Sequence, residues 1–168
     1  MGAEVLVFLV LPALLALAAG WDLVSFTIPN LLPLAMTAAF LLFGVIAGLP
    51  GAAFGGHLAA GVVGLAAGFA LFAAGYIGGG DAKLFAATAL WFGFGDLLSY
   101  ALIASLCGGA LTLAILSLRH VPLPALLARQ DWLVRLHEAR SVPYGVALAA
   151  GALAVLPGAE IFRLAAAA

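Results

Sequence analysis

Two carboxylates stand out in a chain that otherwise reads as hydrocarbon. Asp81 follows three consecutive glycines in Gly78-Gly79-Gly80-Asp81-Ala82-Lys83-Leu84, between two long apolar runs. Asp22 stands at the end of the first apolar run, in Trp21-Asp22-Leu23-Val24-Ser25-Phe26-Thr27-Ile28-Pro29-Asn30. Between residues 30 and 118 the charges are limited to Asp81, Lys83 and Asp96. An ionisable group inside or at the edge of a membrane span is costly, and marks a functional site by default. Two carboxylates brought close together cannot both ionise easily, so the pair holds one proton between them. The ionised member can take a proton from water while the protonated one polarises a peptide carbonyl. Together they can hydrolyse an amide with no metal and no covalent intermediate. The glycines free the backbone from helical geometry and let another chain approach closely. In lipid, irregular backbone is tolerated only where protein shields it, so Gly78, Gly79 and Gly80 imply a cavity in which an extended substrate could lie.

For the two aspartates to meet, the surrounding elements must carry them to one place. The chain has 168 residues, 67% hydrophobic and 8% charged, with a mean hydropathy of +1.28. A soluble domain carries about 25% charged residues. The apolar runs do not alternate with polar residues, which excludes a membrane barrel. The expected fold is an all-α, polytopic membrane helical bundle, a single domain over residues 1–168. A net charge of −1 without a basic cluster gives nucleic acid nothing to bind. Cys107 is the single cysteine, so no intrachain disulfide and no paired-cysteine metal site can form. It reads as a small core residue. His57, His120 and His137 fall at loop edges without ligand spacing, and neither a metal nor a cofactor is expected.

Six spans fit the pattern. The first covers residues 3–21; its small-residue end looks like a cleavage site, but Glu4 replaces the usual basic start, so it reads as an uncleaved span. Residues 22–30 form a short connection, in which Pro29 disfavours helix at Ile28 and Asn30 can cap the next helix. Spans follow at about 31–48 and from His57 to about Ile77. The fourth can run only from about Ala82 to Phe94 before Gly95-Asp96 interrupts it. That is about 20 Å, short of the roughly 30 Å hydrocarbon core. The fifth covers about 97–118 with Asp96 as its N-cap, and the sixth runs from Pro143 to Leu156, bending at Pro157-Gly158. Trp132 to Leu136 form a short interfacial helix, and Trp21, Trp91 and Trp132 sit where aromatic-belt residues do. Arg119, Arg129, Arg135 and Arg140 all lie between the last two spans, which the positive-inside rule places in the cytoplasm. Counting back, Asp22 and Asp81 share the cytoplasmic face of the membrane, while the termini and Asp96 face the other way. Lys83 snorkels to the same cytoplasmic interface.

Gly78-Gly79-Gly80-Asp81-Ala82-Lys83-Leu84 resembles the GxGD-x-KL motif of type IV prepilin peptidases. Asp22 with Ile28-Pro29-Asn30 is similar to that family's first aspartate motif, and Pro143-Tyr144-Gly145-Val146-Ala147 to its PYG-x-A run. The resemblance implies a multi-pass aspartic endopeptidase of the cytoplasmic (inner) membrane. Such an enzyme removes the short basic leader of prepilins and pseudopilins, whose apolar N-terminal helix lies in the bilayer. Asp22 and Asp81 match the catalytic pair, with Gly78, Gly79, Gly80, Lys83 and Asn30 shaping the site. Long members carry a cytoplasmic insertion with paired cysteines, absent here. The chain thus resembles the short branch serving Flp (tight-adherence) pili, and methylation of the new terminus is not implied. Family members often have basic residues between the first aspartate and IPN, whereas Val24-Ser25-Phe26-Thr27 is uncharged.

A second class of function uses the same residues. Membrane carboxylates beside glycine-broken helices also mark proton- or cation-coupled transporters. A transporter wants its carboxylates near the midplane with access from both sides; a leader peptidase wants both on one side. The charge pattern favours the peptidase. A non-catalytic assembly subunit would leave the presence of both aspartates unexplained.

Overall fold

The computed structural model describes residues 2–120, 129–138 and 141–167. It is 87% helical, and no strand occurs among the described residues, so the all-α reading holds. The first helical run comprises α1 (Gly2–Val5), a π-helical turn (Leu6–Val10) and α2 (Leu11–Ser25). Pro12 lacks an N–H for the helical ladder, and the wider turn lies directly before it. Then come α3 (Leu31–Ile46), α4 (Gly51–Ala73), α5 (Gly79–Arg119), α6 (Asp131–Glu138), α7 (Tyr144–Val155), a 3-10 turn (Leu156–Gly158) and α8 (Glu160–Ala167). Among the described residues, three helices are long and apolar enough to cross a membrane: Gly2–Ser25, Gly51–Ala73 and Gly79–Arg119. A fourth is added if Tyr144–Gly158 and Glu160–Ala166, bent by 53°, make one broken span. That bend falls at Pro157-Gly158, as expected. The short helix expected around Trp132 is α6.

Helix α5 is not a single rod. Gly93 adopts φ 59° and ψ −175°, a left-handed conformation that side chains disfavour. The Phe85 ring stacks on Tyr100 with centroids 5.3 Å apart, whereas a straight helix would separate these residues by about 22 Å. The chain therefore reverses at Gly93, and α5 is a helical hairpin. The interruption expected at Gly95-Asp96 lies two residues earlier. Nor does Asp96 cap its own helix. Its Oδ2 accepts the Glu160 N–H at 2.8 Å, and so caps α8.

Near this turn sits an aromatic knot. Trp91 is fully buried, with its ring 5.6 Å from Phe40 and 5.8 Å from Phe43. Its Nε1 donates to the Met36 carbonyl at 3.0 Å. His57 is buried on the second turn of α4, donating from Nδ1 to the Leu90 carbonyl at 2.9 Å. A Cβ at Gly93 would stand 2.9 Å from the His57 ring. Two sequence expectations are corrected here. Trp91 is a core residue rather than a belt residue, because its indole N–H finds a carbonyl inside the bundle. His57 is no loop-edge residue, because α4 begins six positions before it, at Gly51. Cys107 is half-buried rather than core, while Trp21 is exposed as a belt residue should be.

Small residues set the spacing of the remaining helices. Gly64 and Gly68 of α4 lie against Ala89 and Ala82 of α5, and Gly151 of α7 against the backbone of Ala104. Close backbone approach of this kind is how apolar helices associate where no hydrophobic force distinguishes protein from lipid. At one end of the bundle Gly2 meets Ile46 and Asp96 meets Glu160. At the other, Ile28 meets Gly80, and Arg119 donates to the carbonyls of Leu136 and Ser141 at 3.3 and 3.1 Å. The C-terminus of α2 and the N-termini of α5 and α7 therefore share one end, with α6 against α2 and α5. Arg140, one of the four arginines used for orientation, lies outside the described residues.

Candidate active site

Helix α2 continues through Ser25, so Asp22 belongs to its last turn and not to the connection that follows. The helix stops where Phe26 takes a left-handed φ of 54°, its N–H still bonded to the Asp22 carbonyl at 2.8 Å. Thr27, Ile28 and Pro29 then carry the chain to α3 without helical structure, with Ile28 lying against Gly80 of α5. The Asp22 side chain is buried, with 4% of its surface exposed.

Asp81 is also buried, at 7% exposure. It is the third residue of a helix that begins at Gly79, and its Oδ2 accepts the N–H of the capping residue Gly78 at 2.9 Å. This is the carboxylate half of a capping box. Gly78 is extended (φ −74°, ψ 155°), while Gly79 and Gly80 are already helical. The approach that the glycines permit is by the chain itself. A Cβ on Gly80 would lie 3.1 Å from Ile28 Cβ and 3.3 Å from its backbone nitrogen. A second tie runs between the same segments: Lys83 Nζ donates to Asn30 Oδ1 at 2.8 Å. Lys83 thus has a partner within the protein, and the Asn30 side chain makes no capping bond to α3.

Helix α7 completes the arrangement. The Gly145 N–H donates to Asp22 Oδ2 at 2.7 Å in a buried setting. A Cβ on Gly145 would stand 2.8 Å from that oxygen and 2.7 Å from Ile28 Cδ1. No larger residue fits without displacing the carboxylate. Gly145 was visible in the sequence only as part of a motif; the signal for its role was a glycine just inside a helix start, after Pro143. Asp22 and Asp81 line one cavity of about 540 Å³, together with Gly78, Tyr76, Ser141 and Tyr144. Of the residues singled out from the sequence, the cavity gathers Asp22, Asp81 and Gly78; Lys83 and Asn30 meet on the outer side of α5, in a separate groove. Among the described residues no cluster of three His, Cys, Asp or Glu side chains could hold a metal. What the cavity offers is a pair of anchored carboxyl groups with room beside them, suited to moving protons onto and off water.

Residues 9–113 match the model of the type IV leader peptidase family, more than half of the chain. The chain belongs to the type IV leader peptidase family. The matched stretch contains Asp22, Asn30, the glycines, Asp81 and Lys83, and ends before Gly145. No curated protein and no solved structure matches the chain. Membership in the leader peptidase family makes the chain a protease of prepilin-type substrates in general terms, and its long apolar helices make it a multi-pass membrane protein.

Proposed function

We propose that this leader peptidase uses Asp22 and Asp81 as a general acid–base pair that activates water against the peptide bond after a prepilin or pseudopilin leader. One carboxylate takes the proton of the attacking water; the other, protonated, polarises the scissile carbonyl and then delivers its proton to the leaving amine. In this reading the two arms of α5 count as separate crossings, giving six with the Gly2–Ser25 run, α3, α4 and α7–α8. The end carrying the aspartates and α6 faces the cytoplasm across the inner membrane, and both termini face away. The observation that carries the proposal is the single cavity on which both carboxylates open, at the end of the bundle where Arg119 and α6 lie. A relay through the bilayer would need a path from the opposite end as well, and there Trp91, Phe40 and Phe43 fill the interior.

The test is co-expression with a prepilin whose leader removal is followed by gel mobility. Asp22→Asn and Asp81→Asn are each expected to lower processing by about 10²- to 10⁴-fold, the usual contribution of a positioned acid or base, with the protein still inserted. Near-normal processing by either variant defeats the mechanism.

A further inference from the structure

We infer that the groove between α3 and α4 binds an anionic phospholipid, whose phosphate meets Lys83 and Asn30 and whose acyl chain lies between the helices. The site is separate from the aspartate cavity and does not depend on the peptidase reading. The groove has a volume of about 510 Å³ and is formed by residues 30–37 at the start of α3, 58–65 of α4 and 83–90 of α5. Each stretch makes about two turns, so the groove descends about 10 Å from the Lys83 end. Its shape is a wedge. Helices α3 and α4 both pack on α5. They meet each other where Phe40 stacks on Phe54, with centroids 5.8 Å apart, and lies 5.3 Å from the His57 ring. On the Lys83 side of that contact the groove holds them apart, with α5 as its floor.

The walls ask for an apolar occupant. Thr37 is the polar residue along them, and its Oγ1 is spent on the Pro33 carbonyl at 2.9 Å. Left unfilled, the wedge forfeits dispersion contacts along both walls. A membrane-spanning helix is a poor match, being about 10–12 Å across and running the full depth of the bilayer, whereas the wedge shuts at Phe40. An acyl chain is narrow and can end at that depth. The mouth asks for an anion. Lys83 is exposed, and its Nζ donates to the neutral Asn30 Oδ1 at 2.8 Å. No carboxylate among the described residues pairs with it. An ammonium has three donors, so two remain, and with Oδ1 accepting, Asn30 Nδ2 offers two more. The first turn of α3 has no side-chain cap and adds the positive end of its dipole. Donors and positive charge at the head of an apolar wedge suit the phosphate of a phospholipid. A choline headgroup would bring its own cation to Lys83, so the anionic lipids are favoured.

The experiment uses the full-length protein in detergent, with native mass spectrometry counting what stays bound. The probes are phosphatidylglycerol and phosphatidylcholine with the same chains, and free glycerol phosphate. A single phosphatidylglycerol is expected, retained about fivefold or more over phosphatidylcholine, the worth of one lysine against an anionic lipid. Lys83→Met should erase that preference. Arg135→Met, which removes an exposed cation from α6 at the same end, should keep it. Thr37→Phe, which fills the groove, should lower phosphatidylglycerol retention about tenfold, the scale of a misfit in an apolar pocket. Equal retention of the two lipids by the wild type, or equal losses in Lys83→Met and Arg135→Met, overturns the site. So does displacement of the lipid by an equal concentration of glycerol phosphate, which would leave a headgroup contact without a groove. Should Thr37→Phe fail to fold, the lipid comparison and Lys83→Met still decide. Dimers without lipid, or prepilin bound in the lipid's place and lost with Lys83→Met, would give the groove to protein and overturn the proposal as well.

Discussion

The two ends of the bundle are made from the same parts and do different work. Each has an aspartate whose Oδ2 accepts an N–H from the start of another helix: Asp22 from Gly145 in α7, and Asp96 from Glu160 in α8. Each has a glycine against which another segment lies: Gly80 under Ile28, Gly93 under His57. At the Gly93 end the interior is occupied by Trp91 and its aromatic neighbours, and the Asp96 bond lies at the exposed surface. At the other end a second carboxylate, Asp81, opens on the same cavity as the first. A carboxylate at a helix start is by default a cap. What distinguishes a candidate acid–base pair is two such caps brought to one cavity with room for water.

The comparison breaks most readily at the aspartates. Against the large losses expected for Asp22→Asn and Asp81→Asn, Asp96→Asn is expected to process prepilin at close to the normal rate, because its carboxylate serves only α8. A processing defect in Asp96→Asn matching that of the other two would erase the distinction between the ends.

The next largest effect separates holding the site from holding the fold. Gly145→Ala puts a methyl group where Asp22 Oδ2 and Ile28 already lie, whereas Gly151→Ala puts one 2.6 Å from the Ala104 backbone, away from the cavity. Overpacking of either kind costs about 1–3 kcal/mol. For Gly145→Ala the expected result is a tenfold to hundredfold loss of initial rate, the same energy expressed in the reaction. For Gly151→Ala the loss should appear in thermal unfolding in detergent, with the rate per folded molecule kept.

Which of these residues could be read in advance follows from how local their signals are. Helices show in uncharged runs, and the aspartates show because a charge in such a run is conspicuous. The bend at Pro157-Gly158 shows because proline breaks the ladder at a known place. The break at Gly93 is not legible locally because Gly95-Asp96 offers the same signal, and the His57 ring packed against position 93 is remote in sequence. The burial of Trp91 and His57 is hidden from a local reading for a related reason. An amphipathic side chain belongs at the interface unless a buried carbonyl accepts its N–H, and Met36 and Leu90 are remote in sequence. Gly145 as the partner of Asp22 was equally beyond a local reading.

Trp91→Phe sharpens the contrast from the structural end. Removing Nε1 deletes the indole's hydrogen bond to the Met36 carbonyl, which keeps its own place in α3, at an expected cost of about 0.5–1.5 kcal/mol in stability. Thermal unfolding should register the loss while prepilin processing per folded molecule is unchanged. The smallest effect is expected at the Lys83–Asn30 hydrogen bond, which is exposed. Lys83→Met should lower the rate by no more than about fivefold, in keeping with the roughly 1 kcal/mol that exposed polar pairs contribute. A loss as deep as that of Asp81→Asn would instead make Lys83 part of the chemistry.

The bond from Gly145 to Asp22 spans 123 positions, and it has a consequence for biosynthesis. At about 5–20 residues per second, the ribosome delivers Gly145 roughly 6 to 25 seconds after Asp22. For the last 64 of those 123 positions the growing chain already holds both aspartates, while the Gly145 N–H that Asp22 accepts has not yet been made. On the mechanism proposed above, the nascent protein lacks one anchored member of its acid–base pair until the start of α7 has been made and packed beside α2.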